Sequence, residues 1–145
     1  MSTNQKLTEM KSVKPIYVLD ACALLRLAQD EPGADQVAEI LNSAQSGKCR
    51  VLLHQINLGE VVYRIGKVYG WATAEQKRAE IGLLPIETIA FSTEIFWAAV
   101  KLKSQYPMSY AACFAAALAI QESGILLSSD PEFAVLSDAL AIMKV

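Results

Sequence analysis

The segment PIYVLDACALL, residues 15–25, sets a short run of β-branched and aromatic residues directly before an apolar stretch, with an aspartate at the junction. The run predicts a buried strand that ends at Asp20. The residues after it predict a short helix, which Pro32 and Gly33 stop. The fold of the whole chain follows from the repetition of this pattern.

The alternation of strand and helix continues along the sequence. Further strands are predicted over residues 49–54, 85–91, 125–130 and 140–145. Helices are predicted over residues 34–47, 55–70, 73–84, 92–106 and 109–124, with a short helix over 131–139. Ser92 is predicted to open one helix, and Thr73 another through a capping box with Gln76. Strands separated by helices favour a three-layer α/β/α sandwich with a central, mainly parallel sheet.

Length and composition set the broad class. The chain has 145 residues, 53% of them apolar, and a mean hydropathy of +0.29. We expect one domain over residues 15–145, preceded by a flexible N-terminal arm over residues 1–14. No apolar run approaches the roughly 20 residues that span a bilayer, and the arm lacks the apolar core of a secretory signal. We therefore expect neither a membrane segment nor export.

Cysteine, histidine and charge exclude several kinds of site. The three cysteines are odd in number and share no metal-binding spacing, which predicts reduced thiols and a cytoplasmic location. His54 is the only histidine, so a His-based triad or a multi-histidine zinc site is hard to build, and we expect it to be a satisfied structural residue. The net charge of −2 gives no general attraction to nucleic acid, so a role on RNA needs a local basic patch or metal ions.

Three acidic residues carry the first chemical signal. Asp20 and Asp130 each end a predicted strand, and strand ends of one polarity share an edge of a parallel sheet, where ligands bind. Glu60 lies one turn into a helix among apolar neighbours, where a buried carboxylate is costly without a partner. Mg²⁺ or Mn²⁺ would offset the repulsion and could assist phosphodiester hydrolysis. Helix caps and an ordinary amphipathic-helix glutamate explain the same residues equally well.

Four blocks of sequence, in order, carry a family resemblance: YVLDACALL, INLGEVVYRIG, MSYAACFAAALA and LLSSDPEF. Together they resemble the PIN domain, particularly the VapC-type ribonuclease toxins of bacterial toxin–antitoxin pairs. The resemblance runs from about residue 15 to the last residue. It implies an Mg²⁺- or Mn²⁺-dependent endoribonuclease whose metal ligands and catalytic acids are Asp20, Glu60 and Asp130. It also implies a cognate antitoxin, an RNA substrate and a homodimer.

The third acidic position of that family is Ala112 in this chain. No acidic residue lies between Glu94 and Glu122, so no shifted carboxylate can take its place. With Ser109 as N-cap, residue 112 is the third helical position, where an acid is favoured by the capping box and the helix dipole. The alanine is either a deliberate substitution in a toxic enzyme or a natural loss. In both cases we expect weakened metal binding and greatly reduced cleavage.

Further residues are candidates for supporting roles. The resemblance implies that Asn57, Ser128 and Glu132 could hydrogen-bond around the metal cluster or, for Glu132, join it. Capping and the helix dipole explain the same three residues. Arg26, Arg64 and Lys67 are candidates for phosphate contacts, and the aromatic residues Tyr63, Tyr69, Trp71 and Trp97 could stack bases. Solvated helix charges and core or interface packing are the ordinary alternatives.

Other classes of function are weaker. A phosphatase with a nucleophilic Asp20 would need a second aspartate two residues on, where this chain has Cys22. A nucleotide-binding domain would need a glycine-rich phosphate loop, which is missing. The remaining alternative is a non-catalytic PIN-fold module that keeps antitoxin or RNA binding.

Overall fold

The computed structural model describes residues 13–145 and alternates strands with helices throughout. The strands are β1 (Ile16–Leu19), β2 (Arg50–His54), β3 (Glu87–Ile89), β4 (Ile125–Leu127) and β5 (Ala141–Met143). The α-helices are α1 (Ala21–Ala28), α2 (Ala34–Gln45), α3 (Gln55–Tyr69), α4 (Trp71–Ile81), α5 (Thr93–Gln105) and α6 (Tyr110–Gln121). A 3₁₀-helix covers Pro131–Leu136. Residues 1–12 of the predicted N-terminal arm lie outside the described residues.

The five strands form one sheet in the order β3-β2-β1-β4-β5, and every neighbouring pair is parallel. The last residue of β1, Leu19, pairs with Leu53 and with Leu127. The residues that follow these three in the chain therefore reach the same edge of the sheet. They are Asp20, His54 and Ser128, and all three are buried.

Alternating side chains of the central strands separate two hydrophobic cores. Val18, Leu52 and Leu126 face α5, α6 and the 3₁₀-helix, where a run of small residues over 112–119 packs against the sheet. Leu19 and Leu53 face the opposite core, which is completed by α1, α2, α3 and α4. This arrangement confirms the predicted α/β sandwich, with a central sheet that is wholly parallel. The near-uniform apolar surface of α6 is explained by its burial.

Several predicted boundaries differ from the structure, and two of the differences have a clear local cause. Thr73 was expected to cap α4, but the helix begins at Trp71, directly after Gly70. Gly70 has a φ of +92°, a left-handed conformation that glycine tolerates, and it lets α3 turn into α4 without a loop. Strand β4 ends at Leu127 rather than at Asp130, because Ser128–Asp130 leave the sheet as a loop.

No helix within residues 13–145 is both long enough and apolar enough to cross a membrane.

Candidate functional site

A cavity of about 310 Å³ opens at the carboxyl ends of the central strands, between α1, α3, α6 and the 3₁₀-helix. The three predicted acids, Asp20, Glu60 and Asp130, all line this cavity. Ala112, the position that the family resemblance predicts to be acidic, lines it as well. The lining residues are Asp20, Ala21, Cys22, Asn57, Glu60, Tyr63, Arg64, Ser109, Ala112, Asp130, Glu132 and Phe133. The acids come from distant parts of the chain, so the cavity exists only in the folded protein.

Asp20 is the most buried carboxylate of the cavity. It is the N-cap of α1, and its Oδ1 accepts a hydrogen bond from the backbone N–H of Ala23 at 2.8 Å. Its Oδ2 accepts from the hydroxyl of Ser128. Burial raises the pKa of Asp20 to about 6, these two hydrogen bonds oppose the rise, and the negative charges of Asp130 and Glu60 add to it. Asp20 thus caps α1 and is also a buried carboxylate close to two other negative charges.

Ser128 links Asp130 to Asp20 by hydrogen bonds to both residues. The Oγ of Ser128 donates to Asp20 and accepts from the backbone N–H of Asp130 at 3.0 Å. Asp130 caps the 3₁₀-helix, because its Oδ1 accepts from the backbone N–H of Glu132 at 3.0 Å. Ser128 therefore fixes two acids at once.

Glu60 lies on α3 and has a basic partner. Its Oε2 is 3.3 Å from the Nη2 of Arg64, one helical turn further on, and the Glu60 side chain is 20% exposed. Arg64 also lines the cavity and is half-exposed at its mouth. The ion pair with Arg64 therefore reduces the free-energy cost of burying the Glu60 carboxylate.

Ala112 occupies the third position of α6, as predicted from Ser109. The hydroxyl of Ser109 accepts from the backbone N–H of Ala112 at 3.2 Å, which confirms the cap. The backbone N–H of Ser109 donates to Oε1 of Glu132 at 2.7 Å. Ala112 lines the cavity and brings no carboxylate to it. The acidic side chain that bonds to the start of α6 is that of Glu132.

Asn57 joins the wall of the cavity to α6. Its Nδ2 donates to the carbonyl oxygen of Ala111 at 3.0 Å, and the residue is 1% exposed. Its Oδ1 is buried and has no hydrogen-bond partner. An unpaired buried acceptor is costly, so something that donates or carries positive charge suits this position.

The other predicted contact residues lie elsewhere. Arg26 donates from Nε to Ser129 Oγ at 2.8 Å and from Nη1 to the carbonyl of Pro32 at 2.6 Å, beside a neighbouring cavity. Lys67 lies 5.8 Å from the ring centre of Tyr63 and outside the cavity lining. Of the four aromatic candidates, Tyr63 alone lines the cavity.

His54 is not part of the cavity lining. Its Nδ1 caps α3 by accepting from the backbone N–H of Ile56 at 3.0 Å, while its Nε2 has no hydrogen-bond partner. The ring packs between Phe91 and Phe114, with centroids 5.0 and 4.9 Å away. Burial lowers its pKa to about 4, so the ring is neutral at pH 7. The expectation of a satisfied histidine holds for one nitrogen.

The cavity is lined by oxygen atoms of the kind that bind hard divalent cations as ligands. Carboxylate and amide oxygens line it, and among the described residues the Oδ1 of Asn57 is a buried lining oxygen with no hydrogen-bond partner. Within residues 13–145, however, no three His, Cys, Asp or Glu side chains stand close enough together to hold a metal ion. The chemistry therefore fits Mg²⁺ or Mn²⁺, without a preformed cage of three acids.

Sequence reasoning did not identify Cys22 as a member of the site. Cys22, one of three free cysteines among the described residues, lines the cavity two positions after Asp20. Its Sγ is 3.0 Å from the Oγ of Ser129, which also accepts from Arg26. The contact spans 107 residues of chain, so no local pattern could have indicated it.

Comparison with known proteins agrees with this description. The family model described as PIN domain matches residues 17–139. No curated protein matches the sequence. Three similar solved structures are VapBC2 of Rickettsia felis bound to a promoter DNA fragment, VapBC-1 of nontypeable Haemophilus influenzae, and DNA-bound VapBC of Salmonella typhimurium.

The structural likeness is extensive, although identity is low. The TM-scores are 0.69, 0.68 and 0.69, and the identities are 19%, 18% and 13%, respectively. The matches cover 89%, 89% and 90% of this chain and 98%, 97% and 98% of the other chains. At such identities the likeness shows a shared fold.

Proposed function

This chain belongs to the PIN domain family, and on that premise we propose that it is a VapC-type endoribonuclease toxin that depends on Mg²⁺ or Mn²⁺. We further propose that its cleavage of RNA phosphodiester bonds is impaired because position 112 is alanine. The observation that carries the proposal is the single cavity that brings Asp20, Glu60 and Asp130 together with Ala112 in its wall. The lack of a closely grouped set of three acids supports the second part.

The assignment of partners rests on the structural neighbours. VapBC complexes are toxin–antitoxin assemblies, so a cognate antitoxin is the expected partner, and two subunits of this chain are expected to pair. Exposed apolar side chains at the end of α3 and the start of α4 offer surface for such contacts: Val68, Tyr69 and Trp71. The free cysteines suit a reducing compartment, so we expect the protein to act in the cytoplasm.

Each acid of the cavity has a distinct task in this proposal. Asp20, Glu60 and Asp130 would hold the cation, which when bound lowers the pKa of water and offsets charge on the phosphodiester. Ser128 holds the carboxylate of Asp20 and the backbone of Asp130 in place through its two hydrogen bonds. Arg64, exposed beside Glu60, can contact a phosphate of the RNA backbone.

The direct test restores the missing carboxylate. Ala112→Asp places an acid at the third position of α6, where the helix dipole favours it, and in the wall of the cavity. We expect RNA cleavage in Mn²⁺ to increase by at least about 100-fold, the scale on which a charged group in an active site acts. Ala115→Asp, one turn further on the same helix, is buried in the apolar core and would report only the damage of a misplaced acid.

The rival is a non-catalytic module that binds antitoxin or RNA. The open spacing of the acids favours it over a fully active enzyme. Cleavage of total cellular RNA by the Ala112→Asp protein, abolished by adding Asp20→Asn, supports the impaired nuclease. Folded Ala112→Asp protein without cleavage on total RNA supports the module.

A further inference from the structure

The buried amide of Asn57 is the unusual group of the cavity. Its Nδ2 must face Ala111, because the carbonyl oxygen there can only accept, and the donor–acceptor distance is 3.0 Å. The Oδ1 atom is therefore directed away from that contact and finds no hydrogen-bond partner among residues 13–145. Leaving such an acceptor unpaired destabilises the folded protein, and the single bond to Ala111 does not satisfy it.

The surroundings of this oxygen restrict what can pair with it. The titratable side chains that line the same cavity are mostly carboxylates, which only accept when ionised: Asp20, Glu60, Asp130 and Glu132. Arg64 lies at the mouth, where it pairs with Glu60. A phosphate oxygen cannot satisfy an acceptor, so the missing partner is a cation or a hydrogen-bond donor small enough for a buried position.

The position of Asn57 relates it to the vacated acid. Its amide is tied to Ala111, the residue that directly precedes Ala112, and it lies one turn before Glu60 on the same helix. We propose that Asn57 Oδ1 is an oxygen ligand of the divalent cation and stands in for the carboxylate that position 112 lacks. Amide oxygens suit Mg²⁺ and Mn²⁺ as ligands, although a neutral oxygen binds more weakly than a charged one. This inference rests on the proposed function, since it assigns a ligand to the same site.

The test measures Mn²⁺ binding directly, by calorimetry or by the electron paramagnetic resonance signal of free Mn²⁺. Asn57→Leu keeps the approximate size and removes the oxygen, so we expect Mn²⁺ affinity to fall by at least about tenfold. In the Ala112→Asp protein the new carboxylate takes over, and the same Asn57→Leu change should cost less than about threefold. Asn42→Leu, an exposed asparagine on α2, is the matched control.

Asn57→Leu also removes the hydrogen bond to Ala111, so a second variant is needed to separate that loss from the loss of the oxygen ligand. Asn57→Asp keeps an oxygen ligand and adds charge, so Mn²⁺ should bind at least as tightly as in the wild type and raise the melting temperature more. Asn42→Asp controls for the added charge. Wild-type affinity in Asn57→Leu, or weaker binding in Asn57→Asp, would overturn the inference.

The two proposals fail in different ways. If Ala112→Asp binds Mn²⁺ and needs Asp20 for it, while Asn57→Leu binds as the wild type does, the ligand assignment is wrong and the nuclease proposal stands. If neither the wild type nor Ala112→Asp binds Mn²⁺, both are overturned.

Discussion

The carboxylate of Glu132 accepts a hydrogen bond from the backbone N–H of Ser109, 2.7 Å away and 23 residues earlier in the chain. In a capping box this bond comes from an acid at the third position of the helix itself. That position is Ala112, so α6 obtains its acid from the 3₁₀-helix instead. The bond also joins the segment that holds Asp130 to the segment that holds Ala112.

This relationship predicts a stability effect that depends on position 112. Glu132→Gln should lower the free energy of unfolding by about 0.5–1 kcal/mol, because a neutral amide makes a weaker bond to a helix N-terminus. In an Ala112→Glu background, where the helix carries its own acid, the loss should shrink towards zero. Urea unfolding of the four proteins in this cycle measures the coupling.

The matched control is Asp138→Asn, an exposed acid just beyond the 3₁₀-helix. It should leave stability within about 0.5 kcal/mol of the wild type. Equal losses for Glu132→Gln in both backgrounds would contradict the capping role.

Ser128 predicts a defect in metal binding. Ser128→Ala removes the hydroxyl that donates to the Asp20 carboxylate and accepts from the backbone N–H of Asp130, so the Asp20 carboxylate loses a partner and the backbone of Asp130 loses an anchor. The pKa of Asp20 should rise further, since this hydrogen bond lowers it. We expect Mn²⁺ affinity at pH 7 to fall about 10- to 100-fold and to recover partly as the pH is raised.

Ser129→Ala is the control for that experiment. Its hydroxyl contacts Cys22 and Arg26 and neither acid, so Mn²⁺ affinity should stay within about threefold of the wild type. A comparable loss in both variants would show that the loop, and not the Ser128 hydroxyl, matters.

Two buried groups predict opposite pH dependences of stability. His54, whose pKa is lowered to about 4, stays neutral when folded, whereas the unfolded chain takes up a proton below about 6.5. The free energy of unfolding therefore falls as the pH drops from about 6.5 to 4. Asp20, whose pKa is raised to about 6, keeps its proton when folded while the unfolded chain loses it above about 4. Its contribution falls as the pH rises from about 4 to 6.

Between pH 4 and 6 the two contributions have slopes of about 1.4 kcal/mol per pH unit in opposite directions and cancel. Removing either residue should expose the other. In metal-free urea titrations, stability should rise with pH more steeply in Asp20→Asn than in the wild type, and less steeply in His54→Gln. Identical slopes in all three proteins would show that neither pKa is shifted.

Arg64 predicts an effect on substrate binding. In the Ala112→Asp background, Arg64→Gln should raise KM for RNA about tenfold or more and change kcat less, because a phosphate contact contributes mainly to binding. The salt dependence of binding should become shallower by about one counterion. Arg78→Gln, on the exposed face of α4, should change neither quantity. A fall in kcat with KM unchanged would contradict this role.

Local rules predicted the parts of the structure that depend on neighbouring residues. Ser92 and Ser109 cap their helices as expected, because the bonds run three residues along the chain. The change of periodicity placed the end of β1 at Asp20, one residue beyond its end at Leu19, because Asp20 caps α1. The expectation for Thr73 failed because the conformation of Gly70 decided where α4 begins.

The site was predictable as a set of residues and not as a set of contacts. Asp20, Glu60, Ala112 and Asp130 were brought to one wall by the parallel register of the sheet. The partners of these groups could not be foreseen, since the Ser109–Glu132 and Asn57–Ala111 bonds join separate segments. Arg26 was a reasonable candidate on charge alone, but its guanidinium bonds to Ser129 and Pro32.

The position of β1 between β2 and β4 has a consequence for the time at which the cavity first exists. During synthesis Asp20 leaves the ribosome before its hydroxyl partner, Ser128, which follows 108 residues later. A nascent chain can pair β1 with β2 and still lack the wall that holds Asp130. The proposed metal site can therefore assemble only after residues 125–132 have been made and have packed against β1.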